Sequence, residues 1–151
     1  MHIEQDDVTR SDVIALLRYH LGDMAAHSPE GTSYALDVAA LKTPDMSVYT
    51  IWDEAVLAGC GALHEISPVA AEIKSMRTVE RYQKQGVGSE ILSHLIDISK
   101  RRGYQRLSLE TGTTPLFYKA IAFYARAGFV LGEPFDDYIP SRYNIFMHLD
   151  L

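Results

Sequence analysis

Gln83-Lys84-Gln85-Gly86-Val87-Gly88 stands between a strand-like run, Glu72-Ile73-Lys74-Ser75-Met76-Arg77-Thr78, and a helical pattern that begins at Val87. Two glycines let backbone N–H groups approach a ligand with no Cβ in the way. The helix that follows opens on N–H groups without intrahelical partners and on a partial positive charge. Such a turn suits a pyrophosphate and suits a carboxylate; glycines alone would equally mark an ordinary turn into a helix. Arg81 and Lys84 add formal positive charge beside it. Two rival nucleotide readings fail on spacing. A G-x-G-x-x-G dinucleotide fingerprint needs glycine where the chain has Ile91. A G-x-x-x-x-G-K-[ST] phosphate loop occurs nowhere.

Working outward, Val87, Ile91, Leu95 and Ile98 form a buried helical stripe with Leu92 beside it, and Gly103 ends the helix after Lys100, Arg101 and Arg102. A short strand over Arg106–Glu110, a helix over Leu116–Arg126 closed by Gly128, and strands over Phe129–Leu131 and Tyr143–Leu149 complete the C-terminal half. Upstream, residues 2–8 read as a strand. Thr9 or Ser11 caps a helix whose face is Val13, Leu16, Leu17, His20, Leu21 and Met24. His27 to Ser33 is a loop, and a second helix covers Tyr34–Lys42 until Pro44 stops it. Met46–Trp52 and Val56–His64 form a hairpin around Asp53-Glu54-Ala55. Hairpins followed by strand–helix alternation imply an α/β fold of α+β type, with a mixed, mostly antiparallel sheet.

The composition agrees with one domain spanning 1–151: 47% of residues are hydrophobic and 23% charged. No apolar run approaches the ~20 residues of a membrane span. The acidic start Met1-His2-Ile3-Glu4-Gln5-Asp6-Asp7 lacks the apolar core of a signal peptide. With one cysteine, Cys60, no internal disulfide forms, and the expectation is a cytoplasmic protein. A net charge of −6 argues against double-stranded nucleic acid as a partner. Cys60 lies in an apolar strand and reads as a small core residue rather than a nucleophile.

Glu72 to Val79 followed by Gln83-x-x-Gly86-x-Gly88 resembles the acetyl-CoA motif of the GNAT N-acetyltransferase superfamily, [RQ]-x-x-G-x-[GA] after a strand. Downstream, Ala122-Phe123-Tyr124-Ala125-Arg126-Ala127-Gly128-Phe129 resembles the family's helix ending in Tyr-x-x-x-Gly-Phe. The resemblance implies six to seven strands flanked by about four helices, with the sheet splayed between the fourth and fifth strands. It implies acetyl-CoA as co-substrate, its pantetheine arm along the backbone of Met76, Arg77 and Thr78. Its pyrophosphate would rest on Gln83, Lys84, Gln85, Gly86, Val87, Gly88 and Ser89. Backbone N–H groups near Met76 and Arg77 would polarise the thioester carbonyl. One departure stands out: many members carry Asn seven residues before the tyrosine, and this chain has Phe117.

Acetyl transfer needs a neutral amine, a stabilised oxyanion and a proton for the leaving thiolate. Tyr124 is the candidate acid through the resemblance; on its own, with Phe117, Ile121 and Phe123 nearby, it would equally be a core residue. Glu72, which opens the strand under the thioester, is the first candidate base, Glu110 the second and His64 the third. Glu72→Gln is accordingly expected to lower turnover more than Glu110→Gln. His20, Met24, His27, Ser28, Glu30, Ser33 and Tyr34 are available for the acceptor pocket, with Trp52 as a wall. His20 and His27 have no third partner at metal-ligand spacing, so no metal is expected. The leading reading is transfer to a primary amine of a small molecule in a ternary complex. The acidic balance leans toward a cationic amine, while Arg77 could select a carboxylate. Acylation of a protein or peptide and a non-catalytic acyl-CoA sensor are the alternatives. The apolar strand Ile145–Leu149 offers a surface for a homodimer.

Overall fold

A computed structural model describes residues 1–151. Seven strands, β1 (His2–Asp6), β2 (Met46–Asp53), β3 (Val56–Ser67), β4 (Ala70–Thr78), β5 (Arg106–Gly112), β6 (Val130–Gly132) and β7 (Asn144–Asp150), form one sheet ordered β1-β2-β3-β4-β5-β7-β6. Three α-helices, α1 (Ser11–Ala26), α2 (Val87–Arg101) and α3 (Tyr118–Arg126), accompany it. Short 3-10 turns occupy Ala40–Lys42, Glu80–Tyr82 and Pro115–Phe117.

Strand alternation explains how the core divides. Along β2, Tyr49 and Ile51 enter a large cluster with Ile91, Leu95, Leu107 and Phe129, while Val48 and Trp52 enter a smaller one with Val13, Leu17 and Cys60. A strand covered on both faces reads as nearly continuously apolar, as Val48 to Trp52 does with Thr50 its one interruption. Each large side chain withdrawn from water in this way contributes about 1.5–3 kcal/mol. Cys60 is fully buried in the smaller cluster, and burial pushes its thiol up to about 12. Trp52 belongs to that cluster too, its Nε1 donating to Thr50 Oγ1 at 2.8 Å, so it does not wall the site.

Every strand pairing is antiparallel except β4 with β5. That parallel ladder comprises Ala70↔Arg106, Ala71↔Leu107 and Glu72↔Ser108, and then stops. Beyond it β4 keeps its partner β3 as far as Thr78↔Gly59, and β5 keeps β7 as far as Gly112↔Asn144. The sheet therefore opens between Ile73–Thr78 and Leu109–Gly112. Ser75, at φ 54°, lies where the β3–β4 register slips and bends β4 at the gap.

Two local expectations are corrected. Neither Thr9 nor Ser11 caps α1: Thr9 Oγ1 is spent on Asp7 at 2.6 Å, and Arg10 takes the cap position while its guanidinium bonds Glu4 and Asp6. Tyr34–Lys42 is not a helix. Leu36 and Val38 both pack against the α1 cluster, a two-residue spacing that only extended chain provides, and regular structure is confined to Ala40–Lys42. The helices therefore number three rather than about four.

Candidate active site

The gap between the parted strands opens into a cavity of about 610 Å³. Its floor is Ile73–Thr78 of β4 and Leu109–Gly112 of β5; Lys119, Phe123 and Tyr124 of α3 close one side, and the loop after α1 closes the other. Gln83, Lys84 and Gly88 border the end toward α2.

At that end the chain builds a cradle from backbone. Gly86, at φ 84°, is the N-cap of α2, and the first helical hydrogen bond is Glu90 N–H to Gly86 O at 3.0 Å. The amides of Val87, Gly88 and Ser89 thus have no acceptor in the backbone and add to the positive end of the helix. A Cβ on Gly86 would meet nothing within 4 Å, so this glycine answers only to its backbone angle. A Cβ on Gly88 would stand 3.5 Å from Phe123 and 3.6 Å from Thr78, ordinary contact, on a residue that borders the cavity. Phe117 lies over β5, its ring filling the space a Gly112 Cβ would occupy, and so puts an aromatic face at the cavity wall.

Tyr124 of α3 and Glu110 of β5 both line this cavity. Burial raises the Tyr124 phenol, and no hydrogen bond alters it, so it is a protonated donor at neutral pH. Burial also pushes the Glu110 carboxyl up to about 7, opposed by the Lys74 charge and by Asn144 Nδ2 at 3.5 Å. A carboxyl so poised exchanges protons at working pH, as a general base must.

Glu72, first among the expected bases, does not border the cavity. It is 2% exposed and accepts from His64 Nδ1 at 3.1 Å, from Lys74 Nζ at 3.5 Å and from the Tyr138 hydroxyl. His64 goes with it, bound on its other side to Asp45 at 2.9 Å, and likewise lies outside the cavity. Both face a neighbouring recess of about 410 Å³ that shares Tyr34 and Lys74 with the main cavity.

Of the expected acceptor residues, His20, Met24, Ser28, Ser33 and Tyr34 line the cavity; His27 and Glu30 do not. His27 instead caps the end of α1, its Nδ1 2.8 Å from the Asp23 carbonyl. Arg77 is not free to select a carboxylate. Its Nη2 donates to Asp23 at 2.8 Å and its Nε to His20 Nδ1 at 2.9 Å. His20 must then carry its proton on Nε2, and burial with the Arg77 charge pushes its pKa down to about 4, keeping it neutral. Tyr34 stacks edge-on against Tyr138 at 5.0 Å and its hydroxyl reaches the Ile139 carbonyl at 3.5 Å, tying the loop after α1 to the loop before β7.

Besides Asp23, which holds Arg77, three cavity or support residues escaped sequence reading. Lys119 supplies a cation from α3. Lys74 was within the motif strand, and its two-residue spacing from Glu72 was the signal that both share a face. Tyr138 sits in Asp136-Asp137-Tyr138-Ile139-Pro140, which has no periodicity and gave no signal.

A sequence profile of the acetyltransferase (GNAT) family matches residues 14–129. Among curated proteins, an uncharacterized N-acetyltransferase of Bacillus subtilis (strain 168), YsnE, is 41% identical over 97% of this chain and 97% of its own. An uncharacterized N-acetyltransferase of Escherichia coli (strain K12), YedL, is 40% identical over 99% of this chain and 94% of its own. Among solved structures, a Bacillus subtilis acetyltransferase in complex with CoA superposes with a TM-score of 0.71 at 21% identity, covering 99% of this chain and 98% of that one.

Proposed function

Because the chain belongs to the acetyltransferase (GNAT) family and is an acetyl-CoA-dependent acyltransferase, we propose that it moves the acetyl group to a primary amine of a small molecule by direct transfer in a ternary complex. The observation that carries this reading is that Glu110 and Tyr124 line one cavity, the first a carboxyl near 7 and the second a phenol that stays protonated.

The diphosphate of the donor rests on the amides of Val87, Gly88 and Ser89, with Lys84 and Lys119 beside it. The pantetheine arm follows the unpaired edge of β4 from Met76 to Thr78, completing the broken ladder as an added strand would. Amides on that edge hold the thioester oxygen and the oxyanion that develops from it. Glu110 takes a proton from the incoming ammonium. The neutral nitrogen attacks the carbonyl carbon, the C–N bond forms and the C–S bond breaks. Tyr124 gives its proton to the departing sulfur and is reprotonated from the nitrogen, which sheds one as the amide forms. A compact acceptor suits the site, because the Tyr34–Tyr138 and Tyr34–Ile139 contacts bridge the acceptor end, where a peptide would need an open groove.

This order of bases reverses the one expected from sequence. Glu110→Gln is expected to lower kcat/KM by about 10²–10³. Tyr124→Phe is expected to lower kcat about tenfold or more while acetyl-CoA still binds. The measurement is CoA release with a panel of amines and of peptides. Binding of acetyl-CoA with no release by any amine would instead fit a sensor, and release by peptides alone would fit a protein acetyltransferase.

A further inference from the structure

The parallel ladder between β4 and β5 ends at Glu72↔Ser108. Directly opposed residues of a parallel pair share a face, and so do residues two apart on one strand. Two positions further on, Lys74 and Glu110 are the residues this register sets against each other across the gap. An ammonium and a carboxylate so placed would ordinarily pair, and a paired carboxylate is a poor base. No such pair forms. Lys74 Nζ turns away, donating to the Tyr138 hydroxyl at 2.6 Å and to Glu72 at 3.5 Å, with the Tyr138 ring 5.3 Å beneath it. Glu72 is in turn anchored by His64 and by Tyr138. Exposed ion pairs are weak, but Lys74 and Glu72 are only 11% and 3% exposed, where a charge without a partner is costly. Lys74 therefore has two places to satisfy its charge, and the structure fills one of them.

We infer that Glu72 is a positioning residue, not a base: together with Tyr138 it holds the Lys74 ammonium away from Glu110, and so leaves Glu110 free to take the proton of the acceptor amine. This rests on the reading of Glu110 as the base. It also gives a function to a carboxylate that is sealed from the cavity yet sits on the motif strand. The groups that act on Glu110 are Lys74 and Glu72 on β4, Asn144 on β7 and Tyr138 before β7, while Tyr124 and Lys119 of α3 line the same cavity. Asp23, His20 and Arg77 line the same cavity but are bound to one another. Of these, Lys74 is the cation that the ladder register sets opposite Glu110, and Glu72 is its one carboxylate partner.

The test is the pH profile of kcat/KM. Glu72→Gln removes a like charge and releases Lys74 toward Glu110; both changes favour the carboxylate. The acid limb should move down by about one pH unit, with a lower plateau because the base is weaker. Adding Lys74→Met in the same chain should return the limb to the wild-type pH or above it. Should Glu72→Gln fail to fold, Glu72→Asp, which withdraws the carboxylate by one methylene, should move the limb in the same direction by less. A purely structural role for Glu72 would lower the plateau and leave the limb in place, which would overturn the inference. Glu110→Gln separates the two levels. If it leaves the limb unchanged, the base is misassigned and the inference falls with it. If it abolishes the limb while the Glu72 variants do not move it, the base stands and only the inference falls.

Discussion

Burial, more than any neighbour, holds the Glu110 carboxyl at about 7. The form that accepts a proton is the carboxylate, so kcat/KM should climb as pH rises through about 7 and then level off. In Glu110→Gln that rise should vanish from a steady-state profile taken between pH 5 and 9. The same group bears on stability with the opposite preference. Unfolded, it ionises near ~4.3; folded, it keeps its proton to about 7. Its contribution is therefore intact below its unfolded pKa and is lost as pH rises through the folded one. Glu110→Gln should leave the melting temperature near pH 4 little changed and raise it at pH 8, by the equivalent of roughly 2–3 kcal/mol at most. An inactive variant more stable than its parent would be the mark of a residue held in a costly state for chemistry. A melting temperature that does not rise at pH 8 would contradict this account of its burial.

Among the elements, the turn into α2 divides its work between two glycines. Gly86→Ala must force a side chain into φ 84°, which costs about 1–2 kcal/mol of folding stability although no atom lies in the way. Gly88→Ala has ordinary contacts in the fold and should melt near the parent temperature, yet bind CoA about tenfold or more weakly by calorimetry, because its methyl would stand on the ligand side. Equal losses of stability in the two variants would refute the division. The turn was legible in the sequence because its signal is local: a strand, spaced glycines and a helix stripe within about thirty residues. The run from Tyr34 to Lys42 was misread for a physical reason. Its apolar residues suit a helix as well as an extended strap, and the choice is made by the α1 cluster they pack on. The support of the site was illegible for a related reason. The bonds from Tyr138 to Lys74 and Glu72 span 64 and 66 residues, a distance over which no periodicity carries information. Sequence thus named Glu72 and Glu110 together but could not tell which would face the cavity.

For the whole molecule, the open ladder means that the fold is incomplete along one line until a donor lies in it. Donor binding should close that line and stabilise the protein as linkage requires, by about 2.7 kcal/mol at a hundredfold excess over Kd. For a chain of this size that is roughly 5–10 °C in melting temperature. Amide exchange should slow at Met76–Thr78 and Val87–Ser89 and stay unchanged in β1 and β2, which lie on the far side of the sheet. Uniform slowing would argue against a ligand seated in the gap. The sheltered Cys60 bears on every one of these measurements. A chromogenic disulfide reagent added to count liberated CoA meets no competing sulfur on the native protein, so its colour reports turnover without subtraction. Conversely, one cysteine engineered at the surface would be the sole handle for a dye, and paired labels on either lip of the cleft could follow its closing in real time.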